Sequence, residues 1–511
     1  MELDDVQGLV RFGYRHLTEA CFLLLPRQGS GRRATWLARA PVTSAVEADP
    51  LPQTALHVAF TSEGLRALDV APDLCAEFSA EFVAGMASDA ARAPPGRCRR
   101  QRSSRLAVGH RRADAARRRA PLCRPGRLAA WEREIEAQCA AGFERIERLS
   151  TSATQLAEPF GFADGISQPK VDWERERPVG DHDRLDYDNL VCLGEFLLGY
   201  PNEYGLYTPR PLLAPQRDPD GLLPRAEDAP EQADLGRNGC YLVMRQLQQD
   251  VQGFWRELDR QARRRCRTCA SGWPRPWWAG RRTASSRWQR SGDRLNDFTY
   301  EGGSARAALS AGRAHPTVQP AQRGSAARRA RTPLASLAHA GIQRGGAGAG
   351  SGRVDTLSSP ASPRTKVRRD AAAAARSAAG FPVADVGLHF ICLAANIKRQ
   401  FEFVQSAWLV GSKFAGLTGE SDPMLGHRLP DAGDSPTDGF SIPQAGGPDC
   451  RLSGLPQFVT VLGGAYFFLP GIRALRYLAT DALKGSRDAK ERVGFDDEPR
   501  WCRRLIPARR S

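Results

Sequence analysis

The chain has 511 residues, a hydrophobic content of 41% and a formal net charge of +16. At roughly 100–200 residues per domain, that length allows two to four domains with sizeable cores. No apolar run approaches the ~18 residues of a membrane span, the acidic opening Met1–Val6 and the short run Phe22–Leu25 do not read as a secretion signal, and the twelve cysteines show no scaffold spacing, so a cytoplasmic chain with reduced thiols is expected.

In chain order, Val6–Val10, Ala20–Leu25 and Leu56–Phe60 are apolar runs of strand length. Thr61-Ser62-Glu63 opens a helix with Ser62 as its expected cap, and Phe78, Phe82, Val83 and Met86 mark a second helical stretch over 76–92. A first Arg-rich block spans 94–128. Trp131, Ile135, Cys139, Phe143 and Ile146 then fall on one face of a helix predicted for 129–150. A strand-poor section, 151 to about 235, leads to a strand at Gly239–Arg245 and a helix at Asp250–Arg260. A second Arg-rich block covers 263–292 and a third 303–380. Gly387–Leu393 reads as a strand and Asn396 as the start of a helix. Phe458–Val461 and Ala465–Pro470 read as a late pair of strands, with a helix at Leu475–Leu483. The strand–helix unit beginning at Leu56 matches the one beginning at Leu388, which suggests a duplicated α+β fold.

The three blocks carry 34 basic and 3 acidic residues, so the rest of the chain is net acidic. They are rich in Arg, Ala, Gly, Pro and Ser, and the third has no Phe, Tyr or Trp. Such segments bury too little apolar surface to offset their ordering entropy, so irregular or disordered structure is expected. Basic arms that bind phosphate backbones are one reading. The other is GC-rich coding sequence read in a shifted frame, and 33 Arg against one Lys, with patterned sequence resuming at Ala129, Asp293 and Phe381, favours it. Nucleic acid is therefore not the expected partner.

The segment Glu158–Pro169 contains Gly161-Phe162-Ala163-Asp164-Gly165. Glycines permit close backbone approach to a flat ligand, and a carboxylate beside an aromatic ring can be tuned to move protons. Read locally, Asp-Gly is also a common turn. The segment resembles the Gly-x-x-Asp-Gly signature of dye-decolourising haem peroxidases. Asn296–Gly302, Leu388–Trp408, Lys413–Leu417, Asp438–Pro443 and Phe458–Pro470 resemble further motifs of that family in the same order.

The resemblance implies a duplicated ferredoxin-like α+β fold of the dimeric α/β-barrel type. The N-terminal domain would cover 1–235 and carry the Asp164 segment, the C-terminal haem domain would cover 236–485, and a tail would follow at 486–511. It implies non-covalent haem b, since no CxxCH occurs. Gly161, Phe162, Ala163 and Gly165 would lie against the cofactor. Asp164 would take a proton from hydrogen peroxide and return it to the leaving oxygen. His315 would ligate the iron and Arg344 would stabilise developing negative charge, although the resemblance implies roughly Gly-Ala-His-Ile-Arg-Arg around the ligand where this chain has Gly312-Arg313-Ala314-His315-Pro316-Thr317, and the arginines expected beside Arg344 are missing. Leu388 and Phe390, two apart on one strand, would form the apolar pair lining the pocket. The reductant would be a bulky phenol or dye, and a homo-oligomer is compatible with the family. A haem-poor damaged relative and a basic nucleic-acid-binding protein are the alternatives. Cys266/Cys269 and His182 read as incidental, and His389 as a sheet histidine rather than a ligand.

Overall fold

The computed structural model describes residues 1–86 (without 15, 27–35 and 69), 115–151 (without 125 and 140–146), 159–160, 170–176, 190–268, 355–356, 386–410, 419–444 (without 427, 429 and 431–434) and 447–480. Eight strands form one sheet: β1 (Glu19–Pro26), β2 (Thr54–Phe60), β3 (Ala115–Cys123), β4 (Glu147–Ser150), β5 (Cys240–Gln249), β6 (Asp355–Thr356), β7 (Gly387–Ala394) and β8 (Val459–Leu469). Their order is β6-β7-β5-β8-β2-β3-β1-β4, and every pairing is antiparallel.

That order contains the expected duplication. Within each set of four, the second strand lies beside the third, the third beside the first, and the first beside the fourth. This is the ferredoxin-like arrangement, present twice and joined at the pair Phe468↔Phe60. The sheet is strongly curved. The rings of Phe22 on β1 and His389 on β7 meet edge-on at 5.4 Å, although four strands lie between them and neighbouring strands are spaced about 4.8 Å apart. The enclosed face holds Phe22, Ala59, Leu242, Met244, Leu393, Phe467 and Leu469, plugged by Val6, Leu9 and Val10. The outer face sets Leu56, Val58, Phe60, Tyr241, Val243 and Phe468 against Leu65, Phe78, Phe82 and Phe401. Alternation along β2 and β5 supplies both faces at once.

Several local expectations change. Val6–Val10 is not a strand: Gly8–Val10 is a 3-10 turn. Gln7 uses its side chain where a strand would use its backbone, donating to the Val58 and Pro470 carbonyls and accepting from the Val58 N–H. Thr61 rather than Ser62 caps the following helix, accepting from the Gly64 N–H at 3.0 Å. The stretch 76–92 does not form one helix. Pro72–Ala76 and Ala80–Ala84 are separate, with Ser79 capping the second and Gly85 ending it at φ 76°. The helix predicted for 129–150 is described over Leu128–Cys139, and its expected last turn is β4, an edge strand paired with β1. The late strand pair is a single strand, β8, with a bulge between Val461 and Gly463. Glycine is required beside that bulge, since a Cβ on Gly464 would lie 2.5 Å from Met86 Sδ and 2.6 Å from the Met244 carbonyl oxygen.

The Arg-rich blocks are not wholly irregular. Ala115–Cys123 of the first block is β3, an interior strand between β1 and β2. The helix Val251–Thr268 runs into the second block, and β6 lies in the third. Apart from Arg124 and the stretch 126–128 that leads into the helix Leu128–Cys139, the rest of those blocks falls outside the described residues. Among the described residues, no helix is long and apolar enough to cross a membrane.

Candidate functional site

On the outer face of the C-terminal half, β5, β7 and β8 present an apolar wall. Phe160, Leu247, Phe254, Phe458 and Val459 are buried at its centre. Leu388, Phe390, Met424 and Val461 are only partly buried against it. Leu388 and Phe390 share this face because they are two apart on β7, while His389 between them points to the enclosed face and is fully buried. The wall is aromatic and tightly keyed: Phe254 meets Phe160 at 4.7 Å, Phe458 at 5.4 Å and Trp255 at 5.4 Å.

Phe160 immediately precedes the Gly-Phe-Ala-Asp-Gly segment and is 2% exposed. Its seat on Phe254 therefore brings the stem of that segment to the wall that carries Leu388 and Phe390. Asp164, Gly161, Phe162, Ala163 and Gly165 themselves lie outside the described residues, as do His315 and Arg344. Of the expected site residues, Leu388 and Phe390 are the two that are described, and they lie together.

A flat apolar macrocycle suits the half-exposed side chains of this wall. The described histidines do not supply an axial ligand to it. His16 Nε2 contacts the Pro52 carbonyl at 2.9 Å, His57 is buried beside Tyr14, and His389 packs on Phe22. His57 is held neutral by burial, its pKa lowered to about 3. Among the described residues no group of three or more His, Cys, Asp or Glu could hold a metal.

Sequence reasoning missed Phe160, Phe254, Phe458 and Met424 as wall residues, and missed Glu195. Glu195 is fully buried. Its carboxylate accepts from Arg399 at 3.0 and 3.2 Å, from Gln400 Nε2 at 2.9 Å and from the Glu203 N–H at 3.0 Å. Burial pushes its pKa up to about 7 against the pull of Arg399. An acidic residue within the apolar run Leu193–Leu198 was the available signal.

No family model matches the chain. A stretch of 103 residues is 34% identical to the multifunctional dye peroxidase DyP2 of an Amycolatopsis species, covering 19% of this chain and 21% of that relative's length. Over 94% of the chain, the structure superposes on all of a dye-decolourising peroxidase whose haem pocket was engineered for asymmetric sulfoxidation, with a TM-score of 0.61 and 20% identity. Its fold is that of the dye-decolourising peroxidases. A decolourising peroxidase from Auricularia auricula-judae superposes equally broadly, with a TM-score of 0.60, 20% identity and full coverage of that chain. A dye-decolourising peroxidase in complex with 2,6-dimethoxyphenol gives a TM-score of 0.58 at 19% identity, over 94% of this chain. The dye-decolourising peroxidase likeness and the duplicated ferredoxin-like architecture read from the sequence are both borne out.

Proposed function

We propose that this chain is a haem-dependent peroxidase that uses hydrogen peroxide to oxidise bulky aromatic donors such as dyes and phenols. The observation that carries the reading is the seat of Phe160. In a chain with the dye-decolourising peroxidase fold, the residue before the Gly-Phe-Ala-Asp-Gly segment is keyed into the cluster that includes Leu388 and Phe390. Four residues of chain span at most about 14 Å, so in this reading Asp164 would lie within reach of the wall.

Leu388, Phe390 and Val461 would hold one apolar surface against the macrocycle and exclude water from it. Gly161 and Gly165 would let backbone approach closely. Asp164 would accept a proton from peroxide at a carboxylate oxygen and give it back to the departing oxygen. His315 would hold the iron, and Arg344 would stabilise developing negative charge. When bound, haem b would supply the redox chemistry, which the protein tunes by ligation and shape. Loss of a proton acceptor of this kind costs about 10²–10⁴-fold in rate.

The test is reconstitution of the full chain with haemin, followed by its absorption spectrum and peroxide-dependent dye oxidation. A Soret band, with turnover lost in Asp164→Asn, is the expected result. Haem binding with turnover unchanged in Asp164→Asn would overturn the role of Asp164, and absence of haem binding would overturn the peroxidase reading. The haem-poor reading draws support from one feature: both the expected ligand and the expected arginine fall in the third Arg-rich block.

A further inference from the structure

Gln400 and Phe401 are adjacent residues that face two different structures. Gln400 is fully buried and its side-chain amide is completely engaged. Nε2 donates to the Glu195 carboxylate at 2.9 Å and to the Glu195 carbonyl at 2.8 Å, while Oε1 accepts from the Asn396 N–H at 2.8 Å. Asn396 Oδ1 in turn accepts from the Arg399 N–H at 2.9 Å. The Glu195 carbonyl also receives the Ala395 N–H at 3.2 Å, at the end of β7. One carboxylate residue thus pins both the exit of β7 and the start of the π-helical turns Lys398–Glu402 and Val404–Val410.

Phe401, one residue on, carries that anchorage to the candidate site. Its ring lies 6.5 Å from Phe390 and 6.1 Å from Tyr466, with the Arg245 guanidinium 4.9 Å from its centroid. Phe390 is one of the two side chains read as lining the haem face. The route is short and continuous: Glu195 to Gln400, through one peptide unit to Phe401, and by ring contact to Phe390.

We propose that Glu195 is a positioning residue for the apolar wall, fixing Phe390 through Gln400 and Phe401. The importance of Phe390 for cofactor binding rests on the peroxidase reading; the anchorage does not. A buried carboxylate with three donors is a single-geometry hub, because releasing it leaves Arg399 without this acceptor and Gln400 with one of its two Nε2 bonds broken. The charged and titratable groups facing it are Arg399, Glu203 and Tyr204, whose ring lies 5.5 Å from the Arg399 guanidinium. Burial favours the protonated acid and Arg399 favours the anion. Opening the hub returns the carboxyl to an ordinary pKa, so opening becomes easier as pH rises from about 6 to about 8.

The experiment follows amide exchange by mass spectrometry in full-length wild type, Glu195→Gln, Glu195→Ala and Phe401→Ala at pH 6 and pH 8, with rates corrected for intrinsic chemistry, and titrates each protein with haemin. In wild type, corrected exchange of 387–394 and 398–410 should be about tenfold faster at pH 8. Glu195→Gln, neutral throughout, should remove that dependence. Glu195→Ala should speed exchange of both segments at least tenfold while β2 stays protected, and should weaken haemin binding as Phe401→Ala does. If Glu195→Ala also loses β2 protection, the comparison of Glu195→Gln with wild type decides. Wild-type exchange without the pH difference, or Glu195→Ala loosening 398–410 while 387–394 keeps its protection, would overturn the proposal. Failure of wild type to bind haemin would remove the peroxidase reading and leave the exchange result to stand by itself.

Discussion

The ring of Phe160 lies 4.7 Å from that of Phe254, inclined by 51°. That contact joins the stem of the Gly-Phe-Ala-Asp-Gly segment to the helix Val251–Thr268. Phe254 is 6% exposed, so Phe254→Ala leaves a cavity at the junction and should cost about 3–5 kcal/mol in denaturant unfolding. Haemin affinity should fall with it, because Phe160 loses its seat. Phe403, which is 42% exposed, is the control: Phe403→Ala should stay within about 0.5 kcal/mol of wild type.

Buried His57 and Glu195 should make the acid stability profile unusually flat. His57 is lowered from 6.5 to about 3 by burial, so its contribution is complete above about pH 6.5 and is lost as pH falls towards 3. Glu195 is raised from 4.5 to about 7, chiefly by burial, so its contribution is complete below about pH 4.5 and is lost as pH rises to 7. Between about 4.5 and 6.5 the two slopes oppose each other, each up to about 1.4 kcal/mol per pH unit. His57→Leu should expose a stability that declines with rising pH over that window, and Glu195→Gln one that climbs. Unfolding midpoints measured at half-unit pH steps check both signs; equal slopes in the two variants would refute the pairing.

Arg210 and Asp234 form an interior ion pair at 2.6 Å, with side chains 2% and 0% exposed. Asp234 also caps a turn, accepting from the Gly236 and Arg237 N–H groups at 2.9 and 2.8 Å. Burial raises its pKa in spite of Arg210. Arg210 keeps a second carboxylate, Asp228, on its other two nitrogens, so Asp234→Ala acts mainly by stripping the Gly236 and Arg237 N–H groups of their acceptor, and should cost about 1–3 kcal/mol. Asp234→Asn, which keeps an acceptor for those two N–H groups, should recover part of that loss in thermal unfolding.

The strands that were legible in the sequence are those whose pattern is local. Leu56–Phe60, Gly239–Arg245 and Gly387–Leu393 announce themselves by composition alone; the duplication is present, but the Leu56 and Leu388 units that suggested it are not its equivalent strands, β2 being second in its set and β7 third. Ends were less legible, because Glu147–Ser150 satisfies a helical period and a strand alternation equally and only pairing with β1 decides. The wall was half legible. Leu388 and Phe390 share a face by spacing, and the family resemblance pointed to that face, whereas Phe160, Phe254, Phe458 and Met424 come from four distant segments whose meeting is a tertiary fact. Glu195 was missed for the same reason: its partners lie about two hundred positions away. β3 was illegible because no strand pattern exists in Ala115–Cys123.

That last strand bears on the reading frame. Backbone register sets Arg117, Arg118 and Arg119 opposite Leu25, Leu24 and Leu23 on one side and Phe60, Ala59 and Val58 on the other. An interior strand of a sheet covered on both faces calls for apolar residues at successive positions, and three successive arginines are the wrong chemistry for that place. The proposed axial ligand gives a sharper test. Gly312-Arg313-Ala314-His315-Pro316-Thr317-Val318 can be encoded by GGG CGC GCA CAT CCG ACG GTN. Read one base later, the same bases give GGC GCG CAC ATC CGA CGG, which is Gly-Ala-His-Ile-Arg-Arg, the sequence that the family resemblance leads one to expect around its ligand. The histidine of that frame takes two bases from the codon of Ala314 and one from that of His315. Sequencing the gene should find those codons, and a chain expressed in the restored frame should bind haemin with higher affinity than the chain described above. The prediction is exposed at single bases: CAC in place of CAT at His315 would replace the isoleucine by threonine, and any base but A closing the Ala314 codon would remove the shifted histidine or change it to another residue.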